Sequence, residues 1–108
     1  MDIKELTQLM HTFVTDKGWY EAKSPKPQTP RNLAISLSLE AAEVLELFQW
    51  QDATPVPQLL ASELADVSLY LLQLASISKI DLEQAIIDKL KVNYRRHWEN
   101  DVKESDQA

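Results

Sequence analysis

Two short acidic motifs are where this chain can do chemistry: Glu40-Ala41-Ala42-Glu43 and Glu63-Leu64-Ala65-Asp66. Acids three residues apart lie on one face of a helix. Each pair sits in an apolar stretch, with Val44 and Leu47 after the first and Ala65 and Val67 around Asp66. Carboxylates crowded together on apolar faces raise one another's pKa, and loss of solvent adds to the effect. A divalent cation removes both penalties. Magnesium suits such a donor set, because it is hard, prefers oxygen and keeps waters and phosphate oxygens in its shell; manganese is the natural substitute. Spacing alone leaves a second reading open, since glutamate forms helices well and most such pairs sit on solvated faces. Glu46 continues the run and reads as partly solvated.

Other metal chemistries are narrowed by residue type. The chain has no cysteine, so disulfides, thiolate metal sites and cysteine nucleophiles are excluded. A di-iron carboxylate bundle uses Glu-x-x-His pairs. Neither His11 nor His97 has a glutamate three residues before it, and both read as surface or edge histidines.

Four helices are expected to carry these motifs. The first is capped by Asp2, with Glu5 completing a capping box, and stops at Gly18. Its apolar positions are Ile3, Leu6, Met10, Phe13 and Val14. Pro25, Pro27 and Pro30 make residues 19–30 a loop. Thr29-Pro30 then caps a second helix, expected over residues 30–49 with Leu33, Leu37, Val44, Leu47 and Phe48 inward. The third helix is expected over residues 58–78, with Leu60, Leu64, Val67, Leu71, Leu74 and Ile77 as its inward stripe. Leu59, Leu69, Tyr70 and Leu72 add apolar surface on other faces, which predicts a second covered surface, within the bundle or on another subunit. Asp81 and Gln84 form a capping box for the last helix, which fades near Trp98. The expected architecture is an all-α antiparallel four-helix bundle, completed by homo-oligomerisation. Residues 1–98 form one domain, and residues 99–108 a disordered tail.

Composition agrees. At 108 residues the chain is one small domain with a marginal core, and its 44% hydrophobic content is that of a globular protein. A single glycine argues against hairpins. The net charge of −6 gives no pull toward nucleic acid polymers or anionic membranes. No apolar run is expected to reach the roughly 20 residues that span a bilayer. The first residues lack the basic start and apolar stretch of a signal peptide, so the expected setting is the cytoplasm.

Longer motifs surround the acids: Thr29-Pro30-Arg31-Asn32-Leu33-Ala34, the run from Glu40 through Glu43 and Glu46 to Phe48-Gln49-Trp50, and Glu63-Leu64-Ala65-Asp66-Val67. Together they resemble the MazG-like branch of the all-α nucleoside triphosphate pyrophosphohydrolases, within it the small dCTP pyrophosphatase-like proteins, over roughly residues 6–98. The resemblance implies that Glu40, Glu43, Glu63 and Asp66 hold magnesium. It places Trp19, and as a second candidate Trp50, beside a nucleobase, with Tyr70 bordering the nucleotide. It sets Lys89 and Asn93 toward the phosphates or sugar, followed by the basic residues Arg95 and Arg96, and Arg31 in the substrate-binding set. The chain departs from the family pattern in two places: the loop from Trp19 to Arg31 is longer, with Gln28 where relatives have histidine, which bears on base preference, and Ala42 stands where glycine is common, a harmless change in a helix.

The implied reaction is hydrolysis of a (deoxy)nucleoside triphosphate to monophosphate and pyrophosphate, for pool cleaning or control of dNTP levels. Glu43 or Glu46 is the candidate to orient water or take its proton. Lys89, Arg95 and Lys26 are candidates to stabilise the leaving pyrophosphate. Related hydrolases of dUTPase-like or phosphoribosyl-ATP pyrophosphohydrolase-like type are alternatives on the same fold. A non-enzymatic adaptor with an acidic face is a third reading, but it gives no reason for paired acids inside apolar helices. The expected partners are a small-molecule nucleotide and further copies of the chain, as homodimer or homotetramer.

Overall fold

The computed structural model describes residues 1–53 and 55–99. The tail expected beyond residue 99 lies outside the described residues. Four helices follow in order: α1 (Ile3–Asp16), α2 (Pro30–Glu46), α3 (Pro57–Ile77) and α4 (Leu82–Glu99). Among the described residues there is no strand.

The helix starts follow from local chemistry. Asp2 accepts from the Glu5 amide at 2.8 Å, and the Glu5 carboxylate accepts from the Asp2 amide at 3.1 Å. That is a complete capping box. Thr29 accepts from the Asn32 amide at 3.2 Å ahead of Pro30 at the first helical position. On α4 the box is only half formed. Asp81 accepts from the Gln84 amide at 3.0 Å, but the Gln84 side chain turns forward to donate to Asp88 at 2.9 Å.

The helix ends depart slightly from expectation. α2 stops at Glu46 rather than at residue 49, because the chain tightens there. The amides of Leu47, Phe48 and Gln49 bond to carbonyls three residues back. Trp50 then takes a left-handed conformation, φ 73°. An L-residue in that region ends a right-handed helix. α3 begins one residue early, with Pro57 at its first position, and Lys79 at φ 60° closes the turn after it. Gly18, at φ 76°, takes the left-handed position after α1 at no steric cost.

α2 and α3 form the main packed pair, and α1 lies against α3. Two sets of neighbours give the antiparallel sense. The N-terminal end of α2 (Asn32, Leu33, Ser36) lies by Tyr70, whereas its C-terminal half (Glu40, Glu43) lies by Glu63 and Asp66. The buried apolar core is Met10 and Val14 of α1, Leu33 of α2, and Leu72 and Ala75 of α3.

The stripe expected to face inward on α3 needs correction. Leu64 and Leu71 are exposed, and Leu60, Val67, Leu74 and Ile77 are half-buried; Leu72, Gln73 and Ala75 are the buried residues. α3 is flanked on two sides, so its buried arc lies where α1 and α2 both approach, not along one evenly spaced line. Leu6 and Phe13 of α1 and Phe48 beyond α2 are also exposed. The expectation of no membrane-length apolar run fails as well, since α3 has 21 residues with a window of mean hydropathy 1.3. It carries Glu63 and Asp66, and α1 and α2 cover one arc of it, with only Leu72, Gln73 and Ala75 fully buried.

The bundle is not closed within one chain. α4 meets α3 only weakly, and from Glu83 to Arg96 every side chain is exposed. The Cα radius of gyration is 17.3 Å and the extents are 54 × 37 × 28 Å. A compact domain of this size has a radius near ~13 Å. α4 therefore projects from a three-helix body, in place of the fourth helix of the expected bundle.

Candidate active site

The spacing of polar residues on α2 and α3 builds a seam between them. On α2, Asn32, Ser36, Glu40 and Glu43 recur at intervals of three or four; on α3, Glu63, Asp66, Tyr70 and Gln73 do the same. Each set lies along one helix face. Because the helices run antiparallel, Glu40 and Glu43 come to face Glu63 and Asp66, and Ser36 and Asn32 come to lie near Tyr70.

The four acids form one electrostatic unit. Glu43 lies within hydrogen-bonding reach of the carboxyls of both Glu40 and Glu63. Partial desolvation, then repulsion from Glu43, Asp66 and Glu63, holds the Glu40 carboxyl above the usual carboxylate range. Desolvation also comes first for Glu63, followed by its contact with Glu43 and repulsion from Glu43, Asp66 and Glu46. Behind the desolvation, both shifts also carry the repulsion of neighbouring acids. Among the described residues, no three acidic or imidazole side chains converge tightly enough to grip one ion as they stand. The donor set nevertheless fits a hard dication. All four groups are carboxylates, they come from two adjacent helices, and an ion such as magnesium fills much of its shell with water and phosphate oxygens.

At the other end of the seam lies a cleft of about 350 Å³. One wall is the loop after α1, contributing Trp19, Lys26 and Gln28; the other is Asn32 and Ser36 of α2 with Tyr70 of α3. Trp19 is held edge-on by Phe13, with ring centroids 5.7 Å apart. The Lys26 ammonium sits 4.9 Å from the centre of the Trp19 ring. An aromatic wall, a cation and several amide and hydroxyl groups make a site suited to a flat heterocycle bearing negative charge.

The residues expected at the site divide accordingly. Glu40, Glu43, Glu63 and Asp66 come together, with Glu46 at the edge of the Glu63 environment. Trp19, Tyr70 and Lys26 line the cleft. Arg31, Trp50, Lys89, Asn93 and Arg95 do not; Trp50 is 91% exposed, and the last three lie on the projecting α4. Asn32 and Ser36 were missed as site residues, although extending the three-and-four spacing of Glu40 and Glu43 backward reaches both. His11, expected at a surface or edge, is half-buried, with Nδ1 2.7 Å from the Tyr20 hydroxyl and Nε2 2.7 Å from that of Ser76.

Known proteins share this arrangement of sequence. The model of the MazG-like family matches residues 35–108. dCTP pyrophosphatase 1 of Homo sapiens is 34% identical over 88% of this chain and 58% of its own length. The protein of that name from Mus musculus is 35% identical over the same share of each. The chain thus spans somewhat more than half the length of these curated relatives. A crystal structure of a pyrophosphatase from Archaeoglobus fulgidus superposes with a TM-score of 0.75 at 33% identity, covering 87% of this chain and 90% of that one.

Proposed function

Because the chain belongs to the MazG-like family, we propose that it hydrolyses a (deoxy)nucleoside triphosphate to the monophosphate and pyrophosphate. One observation carries the reading: the acid cluster and the aromatic cleft lie along a single seam between α2 and α3. A nucleotide with its base in the cleft points its phosphates along the seam toward the acids. The names of the dCTP pyrophosphatase relatives favour a deoxynucleotide.

Glu40, Glu43, Glu63 and Asp66 would hold magnesium, or manganese in its place. Bound there, the ion supplies phosphate charge neutralisation and a water of lowered pKa. The chain's own residues do the rest. Trp19 and Tyr70 flank the base, and the backbone and side chains around Asn32 and Ser36 offer polar contacts to base and sugar. Lys26, over the Trp19 ring, is the cation at the base end of the seam, so in this pose charge on the phosphates falls to the bound ion rather than to Lys26. Glu43 is the nearest charged influence on both Glu40 and Glu63, and it or Glu46 would orient water or accept its proton.

We propose further that the working form is a homodimer or homotetramer. Ile86, Ile87, Leu90 and Tyr94 leave an apolar face on α4 exposed, and Leu64 and Leu71, two turns apart on one face of α3, are exposed as well. Lys89, Asn93 and Arg95 can serve phosphate or sugar only in an assembly that brings α4 beside the seam. The proposed setting is the cytoplasm, where nucleotides and magnesium are both abundant. Product analysis on the common NTPs and dNTPs with magnesium tests the activity. Monophosphate and pyrophosphate in equal amounts are expected; release of orthophosphate alone, or no turnover of any nucleotide, refutes it.

A further inference from the structure

Gln73 is the buried polar side chain of the core, 3% exposed and set between Leu72 and Ala75 on α3. A buried amide needs partners, and this one finds them on the loop after α1. Its Nε2 donates to Gln28 Oε1 at 2.7 Å and to the Tyr20 hydroxyl at 3.2 Å, which uses both amide hydrogens. Gln28 in turn donates through Nε2 to the Lys26 carbonyl at 2.6 Å. Tyr20 accepts from Gln73, so its own proton is free for His11 Nδ1, 2.7 Å away. That leaves the His11 Nε2–H to donate to the Ser76 hydroxyl at 2.7 Å. The loop is thereby tied to α1 and α3 at Tyr20 and Gln28, and Lys26 is held to the second tie through its carbonyl. Between Tyr20 and Gln28 stand Pro25, Lys26 and Pro27, and just before Tyr20 stands Trp19, all of them cleft wall.

We propose that Gln73 is a positioning residue for nucleotide recognition. Through Gln28 and Tyr20 it holds the loop so that Trp19 and Lys26 face Tyr70 across the cleft. The proposal rests on the reading of that cleft as the nucleotide site. Gln73 lies outside the acid cluster, one helical turn beyond Tyr70. Its loss therefore loosens substrate binding and leaves the hydrolytic step intact.

Two substitutions cut the tie from opposite ends. Gln73→Met keeps the volume and places no polar atom in the core, leaving Gln28 Oε1 to water; Tyr20→Phe removes only a hydroxyl from a side chain at the surface. With magnesium and dCTP, or the better dNTP from the product panel, each should raise KM by about fivefold to tenfold, the loss of one or two hydrogen bonds. The kcat should stay within about twofold. Trypsin cleavage after Lys23, in the same loop, should accelerate by a similar factor without any nucleotide present. The double variant should fall short of the product of the two single effects, because both act on one network. A purely structural Gln73 would instead lower the melting temperature, with KM and the cleavage rate after Lys23 unchanged, and that result overturns the proposal. Should Gln73→Met not fold, Tyr20→Phe decides by the same two readouts. Failure of the wild type to hydrolyse any nucleotide refutes the enzyme reading, while trypsin protection still judges the tie by itself.

Discussion

Glu43 holds the central place at the residue scale, because it is the charged neighbour that weighs most on both Glu40 of its own helix and Glu63 of the next. Glu43→Gln and Asp66→Asn should each lower kcat by about 100-fold or more, with the helical circular dichroism unchanged; near-native turnover in either variant would remove the assigned site. The same cluster has a signature in pH. The carboxyls of Glu40 and Glu63 bind their protons more tightly in the folded chain than in the unfolded one. The folded state is therefore penalised above the raised values, and the penalty lifts as pH falls through them toward the ordinary carboxylate range. In EDTA, moving from about pH 7 to about pH 5 should favour the wild type relative to a Glu40→Gln/Glu63→Gln variant, which has no such repulsion to relieve. Thermal melts of the two proteins across that range check it. Magnesium at neutral pH should raise the wild-type melting temperature and leave the double variant's nearly unmoved.

At the scale of elements, the site depends on the start of α2. Thr29 caps the helix through the Asn32 amide, and the Asn32 side chain donates to the Pro27 carbonyl at 2.9 Å. One turn thus fixes both the helix and the end of the cleft loop. Thr29→Ala should cost about 1 kcal/mol of stability, as lost caps do, measurable by denaturant unfolding. The antiparallel pairing of α2 with α3 matters more than either helix alone. It takes two faces with the same three-and-four spacing and turns them into one seam, acids at one end and cleft at the other. Shifting either helix by one turn would oppose acids to Tyr70 or Ser36 and separate the four carboxylates.

The whole molecule is open where a small domain is normally closed. α4 extends from the body with Leu90 63% and Tyr94 70% exposed. Apolar surface of this kind on a helix face is ordinarily covered. Leu90→Glu should convert the oligomer to monomer in sedimentation velocity, and should reduce turnover if Lys89 and Asn93 serve a site completed by assembly. A wild-type chain that sediments as a monomer at micromolar concentration would overturn the oligomer proposal.

Much of this was written locally. Caps at Asp2, Thr29 and Asp81 and the proline at the first turn of α2 are decided by residues a few positions apart, so helix number and boundaries were legible within about three residues. The acid pairs were legible for the same reason, since a three-residue interval on a helix implies a shared face whatever surrounds it. The spacing did not reveal which helices face each other, or with what register. Nothing in the spacing marks Gln73, and His11 reads as a surface or edge group. Their roles depend on partners 45 to 65 residues away in the chain. Trp19 and Trp50 looked alike as candidate base contacts; the turn after α1 folds one into the cleft, whereas the left-handed turn after α2 leaves the other in solvent. Helical periodicity specifies directions around an axis, and only the packing of one axis against another converts those directions into a site.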